Sequence, residues 1–369
     1  NVGVIMLLEE NFGSNKKQAY EVARLMKKHD IDWSAPNARC TSVTYEDLKF
    51  YKEHNMFAIK FGIESGSQKI LDIMEKKITT KNLYDAIVNC KKLRIQTIPQ
   101  NMIIGMPGET DETVIESAEY NTKLRHRLGM HWLLSDPGLL IAIPGTPVYE
   151  YAQQIGVIGK SIDAEEDYLI NLDISSERLS YLYILNCANI ANVSTKDVLY
   201  WTYLYHYAGK KAYVDLIIKS NKSIKNRLLQ IYDQCLKATF NDHILRYNIW
   251  IKKSFKKNKI LQKMKYFTFL MADTLFSLCI PILPKNILFR IIRVYANIKF
   301  YFLSRNYWLK RDKLKSNLFT SQNAKSTNKL RVTDDRIAKM SRQAERSLRN
   351  IVKENRKQMT PAITDEERD

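Results

Sequence analysis

Between residues 2 and 143 short apolar runs alternate with amphipathic stretches, and this alternation constrains the fold more than any other feature of the sequence. Residues 2–8 are a continuous apolar run of strand length, the pattern of a strand buried on both faces. Residues 15–28 then set Ala19, Val22, Ala23 and Met26 at helical spacing. Extended pieces at 31–33, 56–63, 95–104 and 131–143 are separated by helical patterns at 44–54, 67–74, 79–92 and 111–128. Thr44, with Asp47 three residues on, and Thr110 ahead of Asp111 read as helix N-caps. Strands alternating with helices in this way make βαβ units and a parallel sheet. The spacing does not separate an open doubly wound sheet from a barrel.

Beyond this region the pattern changes. Residues 149–173 read as a connecting lobe. Ser194 to Asp197 can cap a helix running through Tyr207, and 210–240 and 242–265 read as further helices, with no later strand alternation and no internal repeat. Twelve Gly and nine Pro are few for 369 residues, which fits long helices and counts against an all-β fold. Residues 266–284 are the most apolar stretch, but Asp273, Pro281 and Pro284 count against a membrane span. Residues 287–303 are amphipathic and carry Arg290, Arg293 and Lys299. The pair reads first as the core of a helical subdomain and second as a hairpin lying in a membrane interface. Residues 315–369 are polar and charged, with one helix expected near 334–357 and a disordered end.

Charge divides the chain the same way. The net charge is +19, yet residues 210–369 hold 36 Lys and Arg against 13 Asp and Glu, while the rest is mildly acidic. A basic second part suits an anionic partner, either a membrane surface or nucleic acid, or is a set of solvated helix faces. The five cysteines (Cys40, Cys90, Cys187, Cys235 and Cys279) are scattered, with no CxxC or CxxxCxxC, so local spacing defines no metal site. Scattered cysteines fit small buried thiols in a reducing cytosol. No His cluster stands out, although His131 opens the 131–143 segment. The aromatic run Tyr200, Trp201, Tyr203, Tyr205 and Tyr207 has spacing more typical of packing than of base stacking.

Three motifs carry chemistry. Phe61-Gly62-Ile63-Glu64-Ser65-Gly66-Ser67 ends an apolar run with two glycines and several polar groups. Asn101-Met102-Ile103-Ile104-Gly105-Met106-Pro107-Gly108-Glu109 ends another in a turn leading to a helix N-terminus. Ile143-Pro144-Gly145-Thr146-Pro147 ends a third. Strand C-terminal ends are where parallel α/β folds bind ligands, and glycines there let a ligand approach the backbone. Each motif alone is also what a tight turn requires.

In this order and spacing the three motifs resemble the radical S-adenosylmethionine (radical SAM) superfamily, in particular the subgroup whose members often carry an N-terminal cobalamin-binding domain. Glu9-Glu10-Asn11-Phe12 followed by Asn15-Lys16-Lys17 resembles a further strand end of that family, with Glu where Asp is usual. The resemblance covers roughly residues 1–160. It implies an α/β fold, a partial (β/α) barrel, followed by a mostly helical C-terminal region; the domains would be 1–160, 161–315 and a charged tail at 316–369. It also implies S-adenosylmethionine held by Glu9 and Glu10 near its methionine end, by Glu64 and Ser65 by the methionine or ribose, and by Ile103, Gly105, Ile143 and Pro144 around the adenine. Carboxylates suit an ammonium group, and backbone edges suit an adenine.

The family binds a [4Fe–4S] cluster through a CxxxCxxC loop that this sequence lacks. The expectation is a piece of a longer protein, with the first β/α unit, the cluster ligands and any cobalamin domain upstream of Asn1. The expected function is that of a radical SAM enzyme acting on a small-molecule or lipid-like substrate, cytoplasmic or peripheral at an anionic membrane. An RNA-modifying radical SAM enzyme with a basic tail, and a cluster-less scaffold or membrane-surface protein, are the alternatives; nucleic acid ranks behind the membrane as partner.

Overall fold

The computed structural model describes residues 3–9, 11–97, 102–130, 137–174, 181–233, 279–280 and 283–303. Glu10, most of the 131–143 segment's first half, the helix expected over 242–265, most of the apolar stretch 266–284 and the charged tail lie outside the described residues. Asn1–Ser304 form one compact unit.

The sheet is parallel. Strands β1 (Val4–Met6), β2 (Asp32–Ala38) and β3 (Met56–Phe61) pair in that order. Bridges from Ala58 to Gln96 and from Glu64 to Met102 carry the parallel pairing on to β4 (Ile103–Ile104), which pairs with β5 (Gly138–Leu139). Helices α1 (Lys16–Lys28), α2 (Tyr45–Glu53), α3 (Gln68–Ile73), α4 (Thr80–Lys92) and α5 (Asp111–Leu128) fill the connections. The chain is therefore α/β, as the alternation requires.

Local bonds fix these elements. Thr44 and Asp47 form a reciprocal capping box at α2, as do Thr79 and Asn82 at α4. Asp47 also accepts from Lys16 Nζ and from Tyr20 Oη, which ties α1 to α2. Although burial pushes its carboxyl up, the bonds from Lys16, Thr44 and Tyr20 win and hold it below its ordinary value. Beneath these helices Phe12, Trp33 and Tyr51 pack edge to face with ring centroids 5.4 to 5.8 Å apart. Trp33 Nε1 donates to His54 O at 2.6 Å, so this buried indole is satisfied.

Strand β1 departs from expectation. Val4, Met6 and Leu8 are 59, 60 and 74% exposed, so the 2–8 run is not buried on both faces. Among the described residues β1 pairs only with β2, and an edge strand has one open side.

The lobe at 149–173 is helical, with α6 (Pro147–Gln154) and α7 (Ile162–Ile174), and an unforeseen α8 (Tyr181–Ala191) follows. Helix α9 (Thr195–Ile218) starts at the expected Ser194–Asp197 capping box but runs for 24 residues, continuing past Tyr207 where a break was expected. Gly209 does not interrupt it. Instead its carbonyl accepts from Thr122 Oγ1 of α5 at 3.2 Å. The chain breaks only at residues 219–223, before α10 (Ile224–Ile231). Helix α11 (Lys285–Leu303) packs on α9. Tyr200, Trp201, Tyr205 and Tyr207 are buried, so the aromatic run is packing. Among the described residues no helix is long and apolar enough to cross a membrane.

Candidate functional site

The sheet brings the strand C-termini level. Phe12 pairs with Ala38, and Ala38 with Phe61. Beyond Phe61, Ile103 N donates to Glu64 O at 2.7 Å, and Leu140 N donates to Ile104 O at 2.8 Å. Glu64, Ser65, Ile103 and Gly105 are thus brought together, with Ile143 and Pro144 a few residues beyond β5. Both Ile143 and Pro144 are exposed. Glu9 is exposed after β1, separated from the end of β3 by β2.

Glu64 has the most distinctive geometry. Its φ is +60°, and Ser65 N donates to Ile63 O at 2.7 Å, which closes a three-residue γ-turn around it. A non-glycine residue held there is strained, and such strain concentrates at functional positions. A Cβ on Gly62 would lie 3.0 Å from Glu64 Oε1, so the glycine leaves room for the carboxylate to fold back. That carboxylate accepts from Lys76 Nζ at 3.1 Å. The Lys76 carbonyl in turn accepts from the Arg39 guanidinium.

Ser65 and the second glycine of this motif face helix α5. Ser65 is buried, shares a 2.9 Å hydrogen bond with Ser117 Oγ, and accepts from Ser67 N. A Cβ on Gly66 would meet Tyr120 Cβ at 2.5 Å and Ser117 Cα at 2.8 Å. Gly66 is therefore required by helix packing. Ser67 is buried at the N-cap of α3, yet its hydroxyl caps nothing and has no hydrogen-bond partner.

The second motif folds around an acid that the sequence did not single out. Gly105 has φ +102°, and a Cβ there would lie 2.1 Å from Cys187 Sγ of α8. Glu109 is buried; Gly105 N donates to its Oε2 at 3.3 Å and Thr113 Oγ1 donates to its Oε1. Burial pushes this carboxyl up to about 7. The readable signal was an acid directly after a Gly-containing turn, but its burial depends on α5 and α8. In the third motif Thr146 caps α6 and donates to Ile143 O at 2.7 Å.

Two cofactor fits can be judged from these residues. Among the described residues no group of three His, Cys, Asp or Glu side chains could hold a metal ion. Cys90 and Cys187 are buried, and burial pushes both thiols up to about 12, away from the thiolate a cluster needs. These residues do not fit an iron–sulfur cluster. For S-adenosylmethionine the donor set does fit. The Glu64 carboxylate already accepts one primary ammonium, that of Lys76.

Residues 1–120 match the family model for the radical SAM superfamily. An uncharacterized methyltransferase from Pyrococcus horikoshii is 32% identical over 150 residues, covering 40% of this chain and 31% of its own length. An anaerobic magnesium-protoporphyrin IX monomethyl ester cyclase from Cereibacter sphaeroides is 27% identical, covering 40% of this chain and 24% of its own. A tRNA-2-methylthio-N(6)-dimethylallyladenosine synthase from Acinetobacter baumannii is 30% identical over 98 residues, covering 26% of this chain and 19% of its own. The solved structure of the radical S-adenosylmethionine methyltransferase TsrM from Kitasatospora setae, with tryptophan and aza-SAM bound, aligns with a TM-score of 0.34 and 17% identity. It covers 41% of this chain and 30% of that one, a likeness too slight to carry an argument. The chain spans less than a third of the length of the curated relatives it matches. Over residues 1–120 this chain is similar to the radical SAM superfamily.

Proposed function

We propose that this chain supplies the S-adenosylmethionine-binding strand ends of a radical SAM enzyme whose cluster ligands come from residues outside this sequence. In a complete protein a [4Fe–4S] cluster held by other residues would supply the electron for reductive cleavage of S-adenosylmethionine. This chain's own residues bind and orient. Glu64 receives the amino group of the methionine moiety. The strand ends at Ile103, Gly105, Ile143 and Pro144 flank the adenine, and Glu9 and Glu10 border the methionine end from β1. The strands belong to a partial (β/α) barrel over residues 1–160. Cobalamin is a second cofactor of the complete protein, and its substrate is a small or lipid-like molecule.

The observation that carries this reading is the Glu64 turn, a strained carboxylate that already accepts an ammonium at a strand C-terminus. Equilibrium binding of S-adenosylmethionine to the chain, compared with E64Q, tests it. We expect E64Q to weaken binding at least about tenfold, since the charge-assisted bond to the amino group is lost. Equal affinity of the two proteins, or no binding by either, would sink the assignment. A second reading, RNA modification, draws on the tRNA-modifying relative and the basic half of the chain. A salt-titrated tRNA-binding assay separates it, because phosphate contacts give a steep salt dependence.

A further inference from the structure

We infer that the outward face of α11 is a docking surface for an anionic lipid bilayer, lying in the headgroup layer without crossing it. Helix α11 turns Leu288, Ile292 and Ala296 inward at 0, 0 and 1% exposure. On its other side Ile287, Ile291, Val294 and Ile298 are 44, 39, 59 and 51% exposed. They are spaced alternately four and three residues apart, so they form one continuous stripe along the helix. A surface helix needs a single apolar face to pack, and this one has two.

The charge on α11 selects what covers the second face. The helix carries Lys285, Arg290, Arg293 and Lys299 and no acidic residue. Lys285 is paired with Glu119 and Arg293 with Asp111 and Asp197, while Arg290 is exposed beside the apolar stripe. A second copy of α11 would bring like charges together, which opposes self-pairing. A nucleic acid would engage the cations but leave the Ile and Val side chains in water. An anionic bilayer satisfies both groups, since branched aliphatics reach the acyl boundary and Lys and Arg reach the phosphates.

Helix α10 adds exposed apolar and basic side chains. Ile224, Leu228, Leu229 and Tyr232 are 71, 63, 49 and 56% exposed, and Lys222, Lys225 and Arg227 lie among them. The four basic residues of α11 rule against its crossing a bilayer and suit a helix lying in the interface plane. This inference stands apart from the S-adenosylmethionine reading, because it uses none of the strand-end residues.

The test is flotation of the full chain with vesicles of phosphatidylcholine containing about one third phosphatidylglycerol, against phosphatidylcholine alone. Wild type is expected to float with the anionic vesicles and to lose most of that binding between about 0.1 M and about 0.5 M salt. I291E/I298E should lower the bound fraction at least about tenfold, and I291L/I298L should keep it. Both substituted positions are solvent-exposed. V294W reads the contact directly, without removing it: brominated phosphatidylglycerol should quench its fluorescence beyond the quenching seen with wild type. Four outcomes would overturn the assignment. These are no flotation of wild type, equal flotation of I291E/I298E, no extra quenching in V294W, or a dimer in sedimentation that I291E/I298E converts to monomer. Binding to an oligonucleotide that I291E/I298E leaves intact, with no flotation, would assign the basic face to nucleic acid.

Discussion

Arg293 reaches from α11 to Asp111 at the first turn of α5, its Nη2 donating to Oδ2 at 2.9 Å. Its Nη1 donates to Asp197 of α9 at 3.3 Å, and its guanidinium lies 4.2 Å from the centre of the Tyr200 ring. Trp201 Nε1 completes the junction by donating to the other oxygen of Asp111. Arg293 is 46% exposed, so its ion pairs are partly screened. R293A should cost about 1–2 kcal/mol in urea denaturation, the sum of modest ion-pair and cation–π contributions. R293K should recover only part of this, because an ammonium does not fork between two carboxylates and stack on a ring. Full recovery in R293K would show that charge alone is used.

Glycines in the motifs should fail for different reasons. G66A places a methyl group against Tyr120 and Ser117, where a Cβ contact of 2.5 Å forces helix α5 to move. We expect a loss of about 3 kcal/mol. Gly145, at φ +83° with open space around it, offers only backbone strain. G145A should cost about 1 kcal/mol. Thermal denaturation of both variants compares the two, and similar losses would contradict the close approach at Gly66.

The Glu64 turn predicts opposite effects on stability and binding. At φ +60° a glycine is relaxed where an alanine is strained. Both E64G and E64A lose the Lys76 pair, so their difference isolates the strain. E64G should be more stable than E64A by about 1 kcal/mol, while both lose S-adenosylmethionine binding. Calorimetry and equilibrium binding on the same samples give both quantities. Equal stabilities would mean the turn relaxes without cost.

Glu109 sets a pH dependence. Its carboxyl titrates near 7 in the folded protein, against an ordinary value of 4.5. Across that window the folded state keeps a proton that the unfolded chain has released. Stability is therefore full below about 4.5 and falls as pH rises through about 7, by on the order of 3 kcal/mol. E109Q carries no proton to lose. It should match wild type at about pH 4.5 and exceed it at about pH 8, as measured by urea denaturation at the two values. Parallel profiles for the two proteins would place the titration elsewhere.

What the sequence disclosed was what local bonds decide. Thr44, Thr110 and Ser194 were legible as caps because a cap is made within four residues. The βαβ order was legible because periodicity reports which residues need burial. The exposed face of Val4 and Met6 was not, since an apolar run does not say whether a neighbour covers it. Nor was the continuity of α9 through Gly209, whose carbonyl accepts from Thr122 of α5. The motif glycines were legible as positions of close approach. What approaches was not, because Gly66 meets α5 and Gly105 meets Cys187 of α8, both distant in sequence. Glu109 stood inside a quoted motif, but only its burial distinguishes it from any exposed acid at a helix start.

Three consecutive residues join parts of the molecule that the sequence keeps far apart. Glu109 closes the turn after β4, Thr110 caps α5, and Asp111 holds Arg293. The anchor point of α11 is thus two peptide bonds from the acid that shapes a strand end. The first turn of α5 is therefore shared between the strand-end turn and the bond to α11.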